Sequence, residues 1–97
     1  MRIERELSTN LGERVVLFVG QPNKSDGRDE YSCRIGLEGG GLAVSTRIYG
    51  IDPMQALVLS VGHLNSFVTR HSKAMHPNRL VWEFAANETD FGFPDRL

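Results

Sequence analysis

Cysteine occurs once in the 97 residues, at Cys33, so no disulfide can form within the chain and the core has to hold the fold. A lone thiol fits a reducing compartment, and a cytoplasmic protein is expected. No apolar run approaches the roughly eighteen residues that cross a bilayer, so no membrane partner is expected. The opening Met1-Arg2-Ile3-Glu4-Arg5-Glu6 alternates charge where an export signal needs an apolar stretch. An excess of either charge is missing as well, since eleven Lys and Arg stand against twelve Asp and Glu for a net charge of -1. Sequence-independent binding of phosphate backbones needs a positive surplus, which disfavours nucleic acid as a partner. Histidine is scarce: His63, His71 and His76 are the only imidazoles. The first two lie about 12 Å apart along a helix, too far to share an ion, so neither metal nor cofactor is expected. Gly-x-Ser-x-Gly is absent, and Glu38-Gly39-Gly40-Gly41 lacks the Gly-Lys-Ser/Thr that a phosphate loop needs. No catalytic residue is assigned, and the expectation is a protein without enzymatic activity.

What is present suffices for one folded unit. Hydrophobic residues at 40% with charged residues at 24% support a core and exclude broad disorder. A second core would leave each part too small to fold unaided, so residues 1–97 are expected to form a single domain. Residues 3–8 and 13–20 read as a hairpin around Thr9-Asn10-Leu11-Gly12. Val15-Val16-Leu17-Phe18-Val19 is apolar at consecutive positions, which loads both faces of a sheet. Residues 21–30, with Pro22, Asn23, Ser25, Asp26 and Gly27, read as a mobile, solvated loop. Residues 31–37 and 42–49 form a second hairpin across Glu38-Gly39-Gly40-Gly41. Pairing Leu37 with Leu42 sets Ile35 against Val44, Cys33 against Thr46 and Tyr31 against Ile48, an almost wholly apolar face. The opposite face then pairs Gly36 with Ala43, Arg34 with Ser45 and Ser32 with Arg47.

Asp52 and Pro53 suit the cap and first turn of a helix, and Gln55 completes a capping-box spacing. Leu57, Val61, Leu64 and Val68, with Met54 a turn earlier, give the apolar stripe of a helix ending near His71. Residues 80–85 read as a last strand with Leu80, Trp82 and Phe84 on one face, and residues 87–97 as a C-terminal tail. The expected fold is α+β: an antiparallel sheet of about five strands with one long helix packed on one face, in the order ββββαβ.

One helix covers one face. Val16 and Phe18 oppose Val15, Leu17 and Val19, and a bare apolar face is a liability. The C-terminal aromatic segment, a second copy of the chain or another protein is the expected cover. Trp82, Phe91 and Phe93 add aromatic surface of the kind enriched in cores and at binding hot spots. No acidic residue stands between Asp52 and Glu83, where Arg70, Lys73 and Arg79 make a basic stretch that faces an acidic tail. Val16, Phe18, Trp82, Phe91, Phe93, Arg70, Lys73 and Arg79 are therefore the candidate partner-binding residues. Arg34 and Arg47 share a polar sheet face and are the candidate anion-binding pair, while Cys33 reads as core.

The segment Tyr49-Gly50-Ile51-Asp52-Pro53-Met54-Gln55-Ala56-Leu57 and the ending Thr89-Asp90-Phe91-Gly92-Phe93-Pro94, together with the two hairpins, resemble a family of small uncharacterised bacterial proteins. The similarity spans nearly the whole chain, and its most distinctive piece is the Asp-x-Gly-Phe-Pro ending. The resemblance implies a bacterial origin, supports the fold and brings no catalytic residue with it. The expected function is a non-enzymatic protein-interaction module, immunity-type or accessory, bound to another protein or to a second copy as a homodimer. The competing expectation is a small enzyme or anionic-ligand binder working through the Arg34/Arg47 face as a dimer.

Overall fold

A computed structural model describes residues 2–25, 27, 29–87 and 89–93. Asp26 and Arg28 of the expected loop, and Glu88 and Pro94 to Leu97 of the expected tail, lie outside the described residues. The strands are β1 (Arg2–Thr9), β2 (Arg14–Gly20), the short β3 (Asn23–Lys24), β4 (Tyr31–Gly39) and β5 (Leu42–Gly50); β1, β4 and β5 carry alternating patterns, and β2 is apolar at consecutive positions. Then come α1 (Pro53–Ala74) and β6 (Leu80–Val81), so strands, helix and a closing strand make the α+β fold. All pairings are antiparallel, with β1 beside β2, β2 beside β4, β4 beside β5, and β6 on the far side of β1. Within the expected loop, Asn23–Lys24 pair with β4. Val19 faces Ile35 and Asn23 faces Ser32, so four steps along one strand match three along the other. Thus β3 continues the line of β2 beyond a bulge at residues 20–22.

The second hairpin corrects the expected register. Leu37 faces Val44, Ile35 faces Thr46 and Cys33 faces Ile48, two residues beyond the pairing that pattern suggested. The chain reverses over Gly40–Gly41 alone, with φ of 58° and 84°. That is the conformation a two-residue hairpin turn requires, and glycine adopts it without a steric penalty. The tighter turn adds the pairs Glu38/Ala43 and Gly39/Leu42. Side chains alternate with period two, so the shift leaves every residue on its face and changes only its partner. Arg34 consequently stands directly opposite Arg47.

The helix starts as its capping residues dictate. Asp52 Oδ1 accepts from the Gln55 N–H at 2.7 Å, and Gln55 Oε1 accepts from the Ile51 N–H at 2.8 Å. It runs three residues past the expected end, to Ala74. Its buried face is Ala56, Ser60, Leu64, Phe67 and Val68, whereas Met54, expected in the stripe, is 76% exposed. The reason lies at the crowded start, where Gly50 at the end of β5 abuts the Ala56 backbone. Only small residues fit against the sheet there, and Ser60 satisfies its hydroxyl on the Ala56 carbonyl at 2.7 Å. The last strand is also shorter than expected, because the chain turns after Val81 and the Ala85 N–H bonds to the Trp82 carbonyl at 3.0 Å. Leu80 is buried, Trp82 half-buried and Phe84 exposed, so the three do not share one face.

The core lies between α1 and the inner face of the sheet: Leu7, Val15, Leu17, Val19, Cys33, Ile35 and Leu37 meet Leu64, Phe67 and Val68. The helix rests mainly on β4 and β5. The chain after β6 contributes Phe91 to the same core, at 2% exposure. Trp82 and Phe93 take the Arg5 guanidinium between them, 4.7 and 4.6 Å from their ring centroids. Arg5 Nη1 donates to the Phe91 carbonyl at 2.7 Å, which fastens the segment to the β1 edge.

Candidate functional site

Val16 and Phe18 project from the outer face, away from α1, yet both are buried, at 8% and 3% exposure. Their cover is a set of long charged side chains from neighbouring strands, and this replaces the three covers expected. The Arg2 guanidinium carbon lies 4.2 Å from the Phe18 ring centroid, and that of Arg34 lies 5.9 Å away. Arg2 bridges to Glu38 through Nη1 at 3.0 Å and Nη2 at 3.2 Å, and to Glu4 through Nε at 2.7 Å. Glu38 stands opposite Val16 in register, so the ion pair lies over that part of the face. Gly36, opposite Phe18, leaves the space the ring needs: a Cβ there would overlap the ring and the Val44 carbonyl. Arginine combines an apolar stem with a cation that binds a ring face, so it can hide Phe18 while staying hydrated.

Beside this cover lies an open depression of about 510 Å³, floored by Phe18, walled by Arg2, Arg34 and Arg47, and rimmed by Gln21 and Asn23. The three arginines differ in state. Arg2 is neutralised, and its hydrogen bonds to Glu38 and then Glu4 hold it charged above the usual guanidinium value. The same hydrogen bond, followed by the Arg2 and Arg34 charges, holds the Glu38 carboxyl below its ordinary value against the opposing effect of burial. Arg34 donates from Nε to Ser45 Oγ at 3.0 Å, and Arg47 donates from Nη1 to Ser32 Oγ at 3.5 Å. Neither has a carboxylate within ion-pair distance among the described residues. Like charges directly opposite each other across an antiparallel pair are destabilising. Their side chains turn along opposite diagonals, toward Ser45 and Ser32, and both line the depression; an anion bound there offsets the repulsion, and each fork matches a carboxylate or phosphate in shape.

The other candidates lie elsewhere. Arg70 and Lys73 belong to the helix layer on the opposite side of the sheet; Arg70 lies 6.0 Å from the Phe67 ring centroid and Lys73 occupies the last helical turn. The Arg79 N–H donates to Asn10 Oδ1 at 2.8 Å, just before β6. Phe91 is in the core, while Trp82 and Phe93 are half-buried around Arg5. A second depression of about 480 Å³ borders Arg5, Trp82 and Phe84, but its arginine is already engaged. Asp90 closes the last loop, its Oδ2 accepting from the Ala86 N–H at 3.0 Å and its Oδ1 from the Gly92 N–H at 2.8 Å. These two bonds, in that order, hold its carboxyl below the ordinary aspartate value. The described part of the closing motif thus seats Phe91 in the core and Phe93 on Arg5. Burial, then the Arg70 charge, pushes the His71 imidazole below its ordinary value, and His63 Nδ1 contacts the Leu59 carbonyl at 2.7 Å. Among the described residues no three His, Cys, Asp or Glu side chains gather to hold a metal ion, and Cys33 is fully buried. No helix among them is long and apolar enough to cross a membrane.

Sequence reasoning paired Arg34 and Arg47 only diagonally and missed Arg2, Glu38, Gln21 and Asn23. The signal for Arg2 was the alternation of β1, which sends Arg2, Glu4 and Glu6 to the face of Val16 and Phe18. Gln21 and Asn23 carried no signal, because the bulge that brings them to the rim has none in composition.

A family model described as a domain of unknown function, DUF6968, matches residues 3–95. No curated protein and no solved structure matches the chain.

Proposed function

The chain belongs to that family of unknown function, DUF6968, and from its outer sheet face we propose that it is a non-enzymatic interaction module that grips an acidic group of a partner protein through Arg34 and Arg47. The observation that carries this reading is that Arg34 and Arg47 are direct partners in the β4–β5 register, with no carboxylate within ion-pair distance of either among the described residues. Arg34 covers Phe18 and bonds Ser45, but stability alone does not call for a second cation opposite it, and one aspartate at position 47 would remove the conflict. The depression is open rather than enclosed, which suits a side chain presented on another protein's surface better than a small molecule that must be wrapped. Because Arg2 and Arg34 already cover Phe18, recognition here is electrostatic, with little apolar surface on offer. The test is a titration of ¹⁵N-labelled protein with a glutamate-containing heptapeptide, following the Nε–H signals of Arg34 and Arg47. Saturable shifts at both and at the backbone amides of β4 and β5 are expected, with the amide shifts lost in an Arg34→Gln/Arg47→Gln double variant whose melting temperature is not lowered. Equal binding by the double variant refutes the reading.

A further inference from the structure

We infer that the acidic ligand arrives as an extended segment that adds a strand to the open edge of β5, with its carboxylates over Arg47 and Arg34. This rests on the reading of the outer face just given. Strand β5 spans Leu42–Gly50, pairs with β4 on one side and has no strand on the other among the described residues. Alternate N–H and C=O groups along such a strand point away from the sheet and seek partners. Two of the usual protections of an edge, a proline and a bulge, are missing. The nine residues include no proline and form an unbroken ladder with β4, and Arg47 is the one charged residue among them. On the inner face Leu42, Val44 and Ile48 pack against the core but stay partly exposed, so a neighbouring strand would complete their burial.

Charge complementarity selects the occupant. Arg34 leans toward this edge, since its Nε bonds to Ser45 on β5. A guest strand lies about 4.8 Å beyond β5 and sends alternate side chains to the outer face, beside Arg47. An acidic residue there reaches both forks, while apolar residues at the intervening positions meet Val44 and Ile48. A second copy fits badly, because two antiparallel β5 edges would bring each Arg47 close to its duplicate and add to the unbalanced positive charge. The geometry therefore favours a partner segment in which acidic and apolar residues alternate, held by main-chain bonds with side chains supplying specificity.

The probe is a heptapeptide alternating glutamate with valine, used with two backbone-methylated forms, one carrying N-methyl groups on the glutamates and the other on the valines. In a paired strand only one of these sets of N–H groups faces the host. One methylated form is therefore expected to bind about tenfold or more weakly, while the other keeps the parent affinity. Amide exchange should slow at alternate residues of β5 when the unmodified peptide is bound. Equal binding by both methylated forms, or unchanged exchange along β5, overturns strand addition. If binding still depends on Arg34 and Arg47, the anion reading survives that result; if the double glutamine variant binds the peptide as well as the parent protein, that reading falls first. Protection of β5 without peptide, accompanied by a dimer in sedimentation, overturns the choice of occupant, as does tighter binding of a single-stranded heptanucleotide.

Discussion

Replacing Arg47 by glutamate turns the cross-strand pair with Arg34 from repulsive to attractive while leaving the core untouched. Both residues are exposed, and the one hydrogen bond Arg47 makes, to Ser32 at 3.5 Å, is long enough to lose cheaply. Directly opposed charges contribute about 0.2–1 kcal/mol in either sense, so reversing the sign of one should swing stability by roughly 1 kcal/mol after solvent screening. In a chain of this size that corresponds to about 4–8 °C in melting temperature. Arg47→Glu is thus expected to melt about 5 °C higher at low salt and to lose most of that gain in 1 M NaCl, where the screening length is about 3 Å. Arg34→Glu should gain less, because it also gives up the Ser45 bond and one side of the Phe18 cover. The double variant opposes two glutamates, and its stability should fall below the sum of the single changes. Circular dichroism melts at two salt concentrations, with the peptide titration alongside, complete the cycle. Both single variants should lose the acidic peptide although at least one is more stable. A destabilised Arg47→Glu, or strict additivity in the double variant, would refute the claim that the two cations repel each other across the strand pair.

Phe91→Ala should cost about 3–5 kcal/mol, lowering the melting temperature by more than about 12 °C, whereas Phe84→Ala, at a ring 74% exposed, should stay within about 0.5 kcal/mol; similar losses in calorimetry would remove Phe91 from the core. Gly36→Ala should destabilise by about 1–3 kcal/mol through the Phe18 ring, and by less in a Phe18→Ala background; chemical denaturation showing no coupling would sink the close-approach account. The Asp90 carboxyl is held low in the folded chain, so its contribution is in place above the ordinary aspartate value of 3.8 and disappears as pH falls through the lower folded value. Fluorescence of Trp82, the single tryptophan, should report that acid loosening, and Asp90→Asn should show a loosened signal already at neutral pH; an unchanged acid transition in the variant would count against the loop closure.

Much of the fold is local information. The alternation in β1 and β4, the Asp52-Pro53-Gln55 start and the double-loaded run from Val15 to Val19 each carry their structural meaning within a few residues, because side-chain direction repeats every two positions in a strand and capping acts over three. That is why the face assignments of Cys33, Ile35 and Leu37 were readable and the helix start came out at Pro53. Its stripe was readable only in part: Leu64 and Val68 are buried, but the packed face begins at Ala56 rather than Met54. The Arg34/Arg47 site was half legible: both residues were found, their direct opposition was not. A two-residue slip preserves the apolar pattern completely, so pattern cannot detect it, and the Gly40–Gly41 turn decides which arginine meets which.

From sequence alone came the α+β class, the sharing of residues between sheet faces and the presence of surplus apolar surface on the outer one. What hides that surplus was settled only in three dimensions, where pairing across β1, β2 and β4 brings Arg2 and Glu38 together over positions 16 and 18. Likewise, whether the C-terminal aromatics pack inward or face outward depends on whether the helix leaves part of the inner sheet uncovered near β1. It does, and Phe91 fills the gap because burial of an aromatic ring outweighs the entropy of ordering the short segment that carries it.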